Sequence, residues 1–217
     1  MAARVMIVDD DPLVRSGLKL LLGGEPGLSI VAEAAHGGEA VEIYATEPVD
    51  LVLMDLRMPV MDGIAATSEL KASDPAPAVI VLTTFDADDY VVRALAVGAD
   101  GFLLKDTPPE GIVAAINSVL DGQPALSPSA TAALIKKVVH AGDRFDSTTA
   151  RTSLESLTER ERDVAIALAK GASNAEIGAE LYMSVATVKA HISHIFAKLG
   201  VTNRVQVAIR VHDAGLA

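Results

Sequence analysis

The feature that most restricts the fold of this chain is a regular alternation of short apolar segments and amphipathic stretches in its first part. Five segments are continuously apolar, as is typical of strands buried on both faces of a parallel sheet: Val5–Val8, Leu28–Ala32, Leu51–Met54, Val79–Leu82 and Gly101–Leu104. The stretches that follow them have helical spacing: Pro12–Leu22, Gly38–Thr46, Gly63–Ala72, Asp88–Val97 and Glu110–Leu120. These βα repeats predict a doubly wound α/β domain whose functional loops lie at the carboxyl ends of the strands.

The composition excludes several classes of protein. Half of the 217 residues are hydrophobic and 22% are charged, so we expect a packed core and exclude global disorder. The absence of cysteine excludes a disulfide scaffold, thiolate catalysis and cysteine-based metal centres. No apolar run approaches the roughly 18 residues of a membrane span, and the first residues do not resemble a signal peptide. We therefore expect a cytoplasmic protein.

The alternation ends near Gly122, and the rest of the chain has a different character. Residues 122–153 are rich in turn-forming and polar residues and predict a linker with a helix around residues 128–140. From Leu154 onward the pattern is helical, with short turns typical of a helix-turn-helix. We expect an α/β domain over 1–121, this linker, and a small all-α domain of four helices over 154–217.

Helix boundaries in the C-terminal domain are marked by capping residues. Thr158 and Glu161 have the spacing of a capping box, in which two side chains satisfy free backbone N–H groups at the start of a helix. We expect four further boundaries: helix starts at Asn174 and Ser184, and helix ends at Gly171 and Gly200.

Charge is distributed unevenly along the chain. The net charge of −11 by itself argues against a nucleic-acid partner, but residues 1–125 carry −13 and residues 154–217 carry zero. Residues 187–210 contain no acid and four cations: Lys189, Lys198, Arg204 and Arg210. The C-terminal domain therefore has a local basic region that the net charge of the whole chain conceals.

Carboxylates follow two of the predicted strands. Asp9, Asp10 and Asp11 come after the first strand, and Asp55 comes directly after the third. In a doubly wound sheet these strand ends lie at the same edge, where the carboxylates repel one another unless a cation is bound. A hard divalent ion with oxygen ligands, Mg²⁺ or Mn²⁺, suits such a cluster.

A hydroxyl and an ammonium group follow the fourth and fifth predicted strands at the same edge. Thr83 comes after the fourth strand and Lys105 after the fifth. Carboxylates, a metal, a hydroxyl and an ammonium around one cleft suit phosphoryl transfer to a carboxylate. Each residue alone also has an ordinary explanation, such as a helix N-cap or a solvated lysine, and only their joint occurrence favours the functional interpretation.

The predicted helix after Ser184 has two contrasting faces. Its apolar stripe contains Val188, Ile192, Ile195, Phe196 and Leu199. The opposite face is small and polar, with flanking cations: Ala190, Ser193, His194 and Ala197, flanked by Thr187, Lys189 and Lys198. Such a face suits insertion into a DNA major groove, although an ordinary surface helix has a similar pattern. The His191 and His194 pair lacks a third metal ligand, so a metal site is not favoured.

Longer motifs in the first domain resemble a response-regulator receiver domain. They are V-D-D at 8–10, L-M-D-L-R-M-P-x-M-D-G at 53–63, V-L-T-T at 81–84 and G-A-D-G-F-L-L-K-D at 98–106. The resemblance implies a flavodoxin-like fold and a phosphoacceptor at Asp55. It implies that Mg²⁺ is bound by Asp9, Asp10, Asp55 and the backbone carbonyl of Arg57. It also implies that three residues respond to the phosphoryl group: Thr83, Phe102 and Lys105.

The first domain departs from many receivers at two positions. Asp11 stands where many relatives have histidine, and we interpret it as the N-cap of the helix that starts at Pro12. Asp106 rather than proline follows Lys105, as in the branch of receivers that carries the C-terminal domain described next.

The C-terminal motifs resemble the LuxR-type DNA-binding domain. They are L-T-E-R-E-R-D-V at 157–164, G-A-S-N-A-E-I-G-A-E-L at 171–181 and S-V-A-T-V-K-A-H-I-S-H-I-F-A-K-L-G-V at 184–201. With a receiver in front, the chain resembles the NarL/FixJ family. The resemblance implies base contacts by Lys189 and Ala190, with Ser193 and His194 near them, and phosphate contacts by Asn174, Thr187 and Lys198. It further implies a regulator rather than an enzyme, a sensor histidine kinase as partner, and dimerisation on paired promoter half-sites.

Two alternatives belong to other classes. A phosphatase of the aspartyl-phosphate type places a second Asp two residues after the nucleophile, where this chain has Arg57. The other alternative is a DNA-binding regulator whose receiver is controlled by a ligand or partner independently of phosphorylation. The presence of all the expected receiver residues favours phosphorylation: Asp9, Asp10, Asp55, Thr83 and Lys105.

Overall fold

The structure is a computed structural model that describes residues 2–84, 88–127, 130–131 and 154–216. The chain divides into two compact units. Among the described residues, one unit contains residues 2–120 and those between 125 and 131. The other unit contains Asp121–Pro124 and residues 154–216. The helix predicted around residues 128–140 lies almost wholly outside the described residues. No helix among the described residues is long and apolar enough to cross a membrane.

The first unit is built on a parallel sheet of six strands. The strands are Ala3–Val8 (β1), Leu28–Ala34 (β2), Leu51–Met54 (β3), Ala78–Thr83 (β4), Gly101–Leu104 (β5) and Ala125–Leu126 (β6). Their order is β2-β1-β3-β4-β5-β6, and every neighbouring pair is parallel. All five predicted strands are present, whereas β6 was not predicted because two residues show no periodicity.

Helices cover both faces of this sheet. They are Pro12–Leu22 (α1), Gly37–Thr46 (α2), Gly63–Lys71 (α3), Asp88–Ala96 (α4) and Pro109–Leu120 (α5). Successive strand residues point to opposite faces, so Ile7 packs with the buried residues of α1 and α5 while Met6 packs with those of α2 and α3. The doubly wound α/β prediction is therefore confirmed.

All the regular secondary structure described in the second unit is helical. Its helices are Glu159–Ala169 (α6), Asn174–Glu180 (α7), Val185–Leu199 (α8) and Arg204–Asp213 (α9). They enclose one apolar core, which includes Val164, Leu168, Ile177, Val188, Ile195, Leu199, Val207 and Val211. This arrangement confirms the predicted small helix-turn-helix domain.

Most of the predicted helix caps are present, and one is displaced. The Thr158–Glu161 capping box forms, Ser184 caps α8, and Gly200 ends α8 in the left-handed conformation. The prediction that Asn174 caps α7 is wrong, because Ser173 is the N-cap and forms its own capping box with Glu176. Both Ser and Asn are good caps, and the Glu three residues after Ser173 decides between them.

Candidate functional site

Three carboxylates meet at the carboxyl edge of the sheet. The neighbouring strands β1 and β3 end side by side, and the Asp55 amide donates a hydrogen bond to the Val8 carbonyl at 2.8 Å. One carboxylate oxygen from each of Asp9, Asp10 and Asp55 lies within 4.8 Å of the others. Asp9 and Asp55 are buried, whereas Asp10 is exposed. An all-oxygen set of this kind can bind a hard divalent cation.

Lys105 bridges the two buried carboxylates. Its Nζ lies 2.6 Å from Asp9 Oδ2 and 3.2 Å from Asp55 Oδ1. Burial alone would lower the pKa of Lys105, but its hydrogen bonds to the two carboxylates and their charges together raise the pKa above its usual value. The lysine therefore stays protonated and supplies a positive charge to the carboxylate cluster.

The environment of Asp55 acts on its ionisation in two directions. Burial raises the pKa of Asp55, and the charge of Asp9 raises it further. The charge and hydrogen bond of Lys105 lower the pKa but do not cancel the rise. A divalent cation in the carboxylate cluster would favour the ionised form, which is the form able to act as a nucleophile.

The loop after β1 is held by contacts that fix Asp9. The Asp11 amide donates to Asp9 Oδ1 at 3.0 Å, while Asp11 Oδ1 accepts a hydrogen bond from the Leu13 amide at 2.8 Å. The interpretation of Asp11 as the N-cap of α1 is thus confirmed. Arg15 Nη1 donates to the Asp9 carbonyl at 2.6 Å, a contact that the sequence analysis missed because no motif marks it.

The loop after β3 approaches Asp55 so closely that it requires glycine. The Gly63 amide donates to the Leu56 carbonyl at 2.9 Å, and a Cβ on Gly63 would overlap the Asp55 carbonyl. Asp62 caps α3 by accepting from the Ala65 amide at 2.8 Å. The Arg57 side chain is exposed in the same loop, two residues after Asp55.

The remaining predicted receiver residues lie in β4 and β5 or directly after them. Thr83 is the last residue of β4 and is buried, and its carbonyl accepts a hydrogen bond from the Lys105 amide at 2.8 Å. Phe102 lies in β5 and is completely buried. The carboxyl edge of the sheet thus brings Asp9, Asp10, Asp55, Thr83 and Lys105 together, as the strand pattern predicted.

Helix α8 presents the polar face that the sequence predicted. Val188, Ile195 and Leu199 are buried. The predicted DNA-contacting residues of this helix are all exposed: Thr187, Lys189, Ala190, Ser193, His194 and Lys198. The hydroxyls of Ser184 and Thr187 are 2.8 Å apart at its start, and the Ser193 hydroxyl donates to the Lys189 carbonyl.

A buried glutamate on α6 holds one flank of this face. Glu161 Oε2 lies 2.6 Å from Lys198 Nζ, and Glu161 Oε1 lies 3.9 Å from His194 Nδ1. The hydrogen bond from Lys198, followed by the one from the Thr158 amide, lowers the pKa of Glu161 to about 2. The sequence indicated the capping role of Glu161, but not its pairing with a residue 37 positions away.

Asn174 lies in a different environment from the other predicted DNA contacts. It is the first residue of α7 and only 3% exposed. Its Nδ2 donates to the carbonyl of Asp121, a residue of the same unit, at 2.9 Å. A phosphate contact by Asn174 remains a prediction that requires this hydrogen bond to open.

Comparison with known proteins identifies both units. Residues 5–117 match the family described as response regulator receiver domain, and residues 155–211 match bacterial regulatory proteins, luxR family. The chain is 36% identical over 209 residues to the transcriptional regulatory protein LiaR of Bacillus subtilis, covering 96% of both. It is 33% identical over 211 residues to the nitrate/nitrite response regulator protein NarL of Escherichia coli K12, covering 97% and 95%.

A solved structure is similar along the whole chain. The crystal structure of the response regulator ChrA, from a heme-sensing two-component system, covers 100% of this chain and 99% of its own, with 35% identity and a TM-score of 0.53. The protein is thus a DNA-binding response regulator, a transcriptional regulator rather than an enzyme. More particularly, it belongs to the NarL/FixJ family, in which a receiver precedes a LuxR-type helix-turn-helix domain.

Proposed function

We propose that a sensor histidine kinase phosphorylates Asp55 and that the phosphorylated protein binds paired DNA half-sites as a dimer. The observation that carries the proposal is the pairing of Lys105 with the buried Asp9 and Asp55, whose carboxylates form a cluster with that of the exposed Asp10. This arrangement suits an aspartate nucleophile beside a cation site. The proposed domains are a receiver over 1–121, a linker over 122–153 and a DNA-binding domain over 154–217.

The proposed transfer uses the carboxylate cluster directly. An Asp55 carboxylate oxygen attacks the phosphorus of a phosphohistidine, so that a P–O bond forms, the P–N bond breaks and the released imidazole takes up a proton. The cluster and the Arg57 carbonyl would hold Mg²⁺ or Mn²⁺, which neutralises charge on the phosphoryl oxygens when bound. Asp9 and Asp10 would supply the other carboxylate ligands, and the Lys105 ammonium stabilises the remaining negative charge.

The phosphoryl group then changes the balance of charge around Lys105. A phosphorylated Asp55 carries more negative charge than the carboxylate, so it draws Lys105 and the Thr83 hydroxyl towards it. Phe102, buried in β5 three residues before Lys105, repacks with this shift. A change from mostly inactive to mostly active protein requires about 5.5 kcal/mol of differential stabilisation.

The proposed output is DNA binding through α8. Lys189 and Ala190 face base edges with Ser193 and His194 near them, and lysine at the first of these positions favours guanine. Thr187, Lys198 and Asn174 contact phosphates. Lys198 would exchange its Glu161 partner for a phosphate oxygen or contact both. Paired half-sites match a two-fold symmetric dimer.

The test is intact-mass spectrometry of the full chain after incubation with Mg²⁺ and acetyl phosphate, and separately with a panel of histidine kinases. We expect one added phosphoryl group on the unsubstituted protein and none on Asp55→Asn. Asp62→Asn is the matched control, because Asp62 is a carboxylate of the same loop whose cap an asparagine preserves. An adduct that survives in Asp55→Asn would refute the assignment. No adduct with any donor would favour control of the receiver by a ligand or partner.

A further inference from the structure

The turn between α7 and α8 contains a tyrosine in an unusual position. Tyr182 is 96% exposed, the highest exposure among the large apolar side chains of the described residues. Its φ of 56° lies in the left-handed region, which non-glycine residues rarely adopt. Among the aromatic residues that the structure describes, Tyr44 and Phe102 are buried and Tyr90 and Phe196 are partly buried, so Tyr182 alone is exposed.

Neither packing nor the backbone explains a tyrosine at this position. The turn is closed by two main-chain hydrogen bonds, from Leu181 to Ile177 at 2.9 Å and from Met183 to Gly178 at 2.8 Å. A left-handed residue that follows a helix in this way is usually glycine, which adopts the conformation without strain. Tyrosine therefore destabilises the turn relative to glycine and, being exposed, gains no compensating burial.

The position of Tyr182 is continuous with the DNA-binding face. It lies two residues before Ser184, the N-cap of α8, and the partly exposed Val185 and the exposed Thr187 follow on the first turn of that helix. In helix-turn-helix proteins the start of the recognition helix contacts base edges, and residues around it contact the sugar–phosphate backbone. An exposed side chain at this turn is therefore placed to meet the backbone beside the groove.

We propose that Tyr182 is a DNA-backbone contact, in which the ring packs against a deoxyribose and the hydroxyl donates a hydrogen bond to a phosphate oxygen. Tyrosine combines an apolar body with a hydroxyl donor, and it is among the side chains that contact DNA phosphates. The exposed Glu180, two residues before Tyr182, is negative and repels phosphates. The tyrosine hydroxyl is uncharged, so it donates a hydrogen bond to a phosphate without adding to this repulsion. The proposal rests on DNA binding by this domain and not on phosphorylation of Asp55.

The test measures stability and DNA affinity of the full chain separately. The variants are Tyr182→Gly and Tyr182→Phe, and the probe is a fluorescein-labelled duplex of mixed sequence at low salt, since backbone contacts do not depend on sequence. We expect Tyr182→Gly to raise the melting temperature, because strain is relieved, yet to weaken DNA binding by roughly three- to tenfold in fluorescence anisotropy. The slope of affinity against salt should stay unchanged, because no charge is removed.

Two comparisons make the result specific. Val60→Gly is the matched control, because Val60 is also exposed and left-handed, with a φ of 66°, but lies in the receiver. This variant should raise the stability and leave the DNA affinity unchanged. Lys198→Ala, which removes a proposed phosphate contact, should weaken binding and also reduce the salt slope. A loss of affinity in Tyr182→Phe supports the hydroxyl contact, and a loss only in Tyr182→Gly supports the ring contact. Unchanged affinity in both variants would refute the proposal.

Discussion

At the scale of single residues, the carboxylate cluster depends on one ammonium group shared by two buried carboxylates. Lys105 contacts Asp9 and Asp55 at once, and the Arg15 guanidinium donates a hydrogen bond to the main-chain carbonyl of Asp9. The residue types at the strand ends were predictable, because each strand end is marked in the sequence. The Arg15 contact was not predictable, because it depends on the direction that the first turn of α1 gives to a long side chain.

The close approach at Gly63 gives a prediction at this scale. Substitution Gly63→Ala should destabilise the protein by about 1–3 kcal/mol and slow phosphorylation of Asp55, because the added methyl group displaces the Asp55 main chain. Urea unfolding and the rate of acetyl-phosphate modification measure the two effects. Gly17→Ala in α1 is the control, where nothing lies within 4 Å of the added Cβ and helix propensity predicts a gain of about 0.5–1 kcal/mol. Equal behaviour of the two variants would contradict the prediction.

At the scale of elements, the sequence predicted the strands and helices of the receiver to within one or two residues at most boundaries. The exception is β6, which extends the sheet beside β5 through the pairs Gly101–Ala125 and Phe102–Leu126. The Ser127 amide then donates to the Phe102 carbonyl at 2.9 Å. A strand of two residues exists only because a neighbouring strand offers free backbone groups, so no local pattern could reveal it.

The contact between α6 and α8 gives a prediction about pH. The pKa of Glu161 is lowered from its usual 4.5 to about 2, so its ionised form stabilises the folded state above pH 4.5 and this stabilisation is lost as the pH falls towards 2. The variant Glu161→Gln should therefore melt below the unsubstituted protein at pH 7, and the difference should shrink below pH 4.5. Calorimetry over this range measures it. A difference independent of pH would show that the Glu161 charge has no role in stability.

At the scale of the whole molecule, the net charge differs strongly between the N-terminal and C-terminal parts of the chain. Residues 1–125 carry a net −13, whereas residues 154–217 are neutral and present lysines on α8. A strongly negative domain lowers the affinity of the attached domain for DNA through long-range repulsion. Such repulsion acts over the Debye length, about 30 Å at 0.01 M salt and about 8 Å at 0.15 M.

This repulsion gives a prediction about salt. A fragment that begins at Leu154 should bind a mixed-sequence duplex more tightly than the unphosphorylated full chain at low salt, and the difference should narrow towards physiological salt. Anisotropy titrations of both proteins on the same duplex measure it. Circular dichroism of the fragment is the control for folding, since its core is formed by its own residues. A difference that is constant with salt would indicate a contact other than long-range charge.

The sequence by itself determined the order of strands and helices, the two domain types and the residues at the strand ends, because hydrophobic period, caps and motifs are local properties. Only the tertiary structure decided which of these residues meet. It placed Lys105 between Asp9 and Asp55, paired Glu161 with Lys198, buried Asn174 and exposed Tyr182. Such contacts join residues far apart in the chain, and their geometry follows from how the elements pack rather than from any pattern along the sequence.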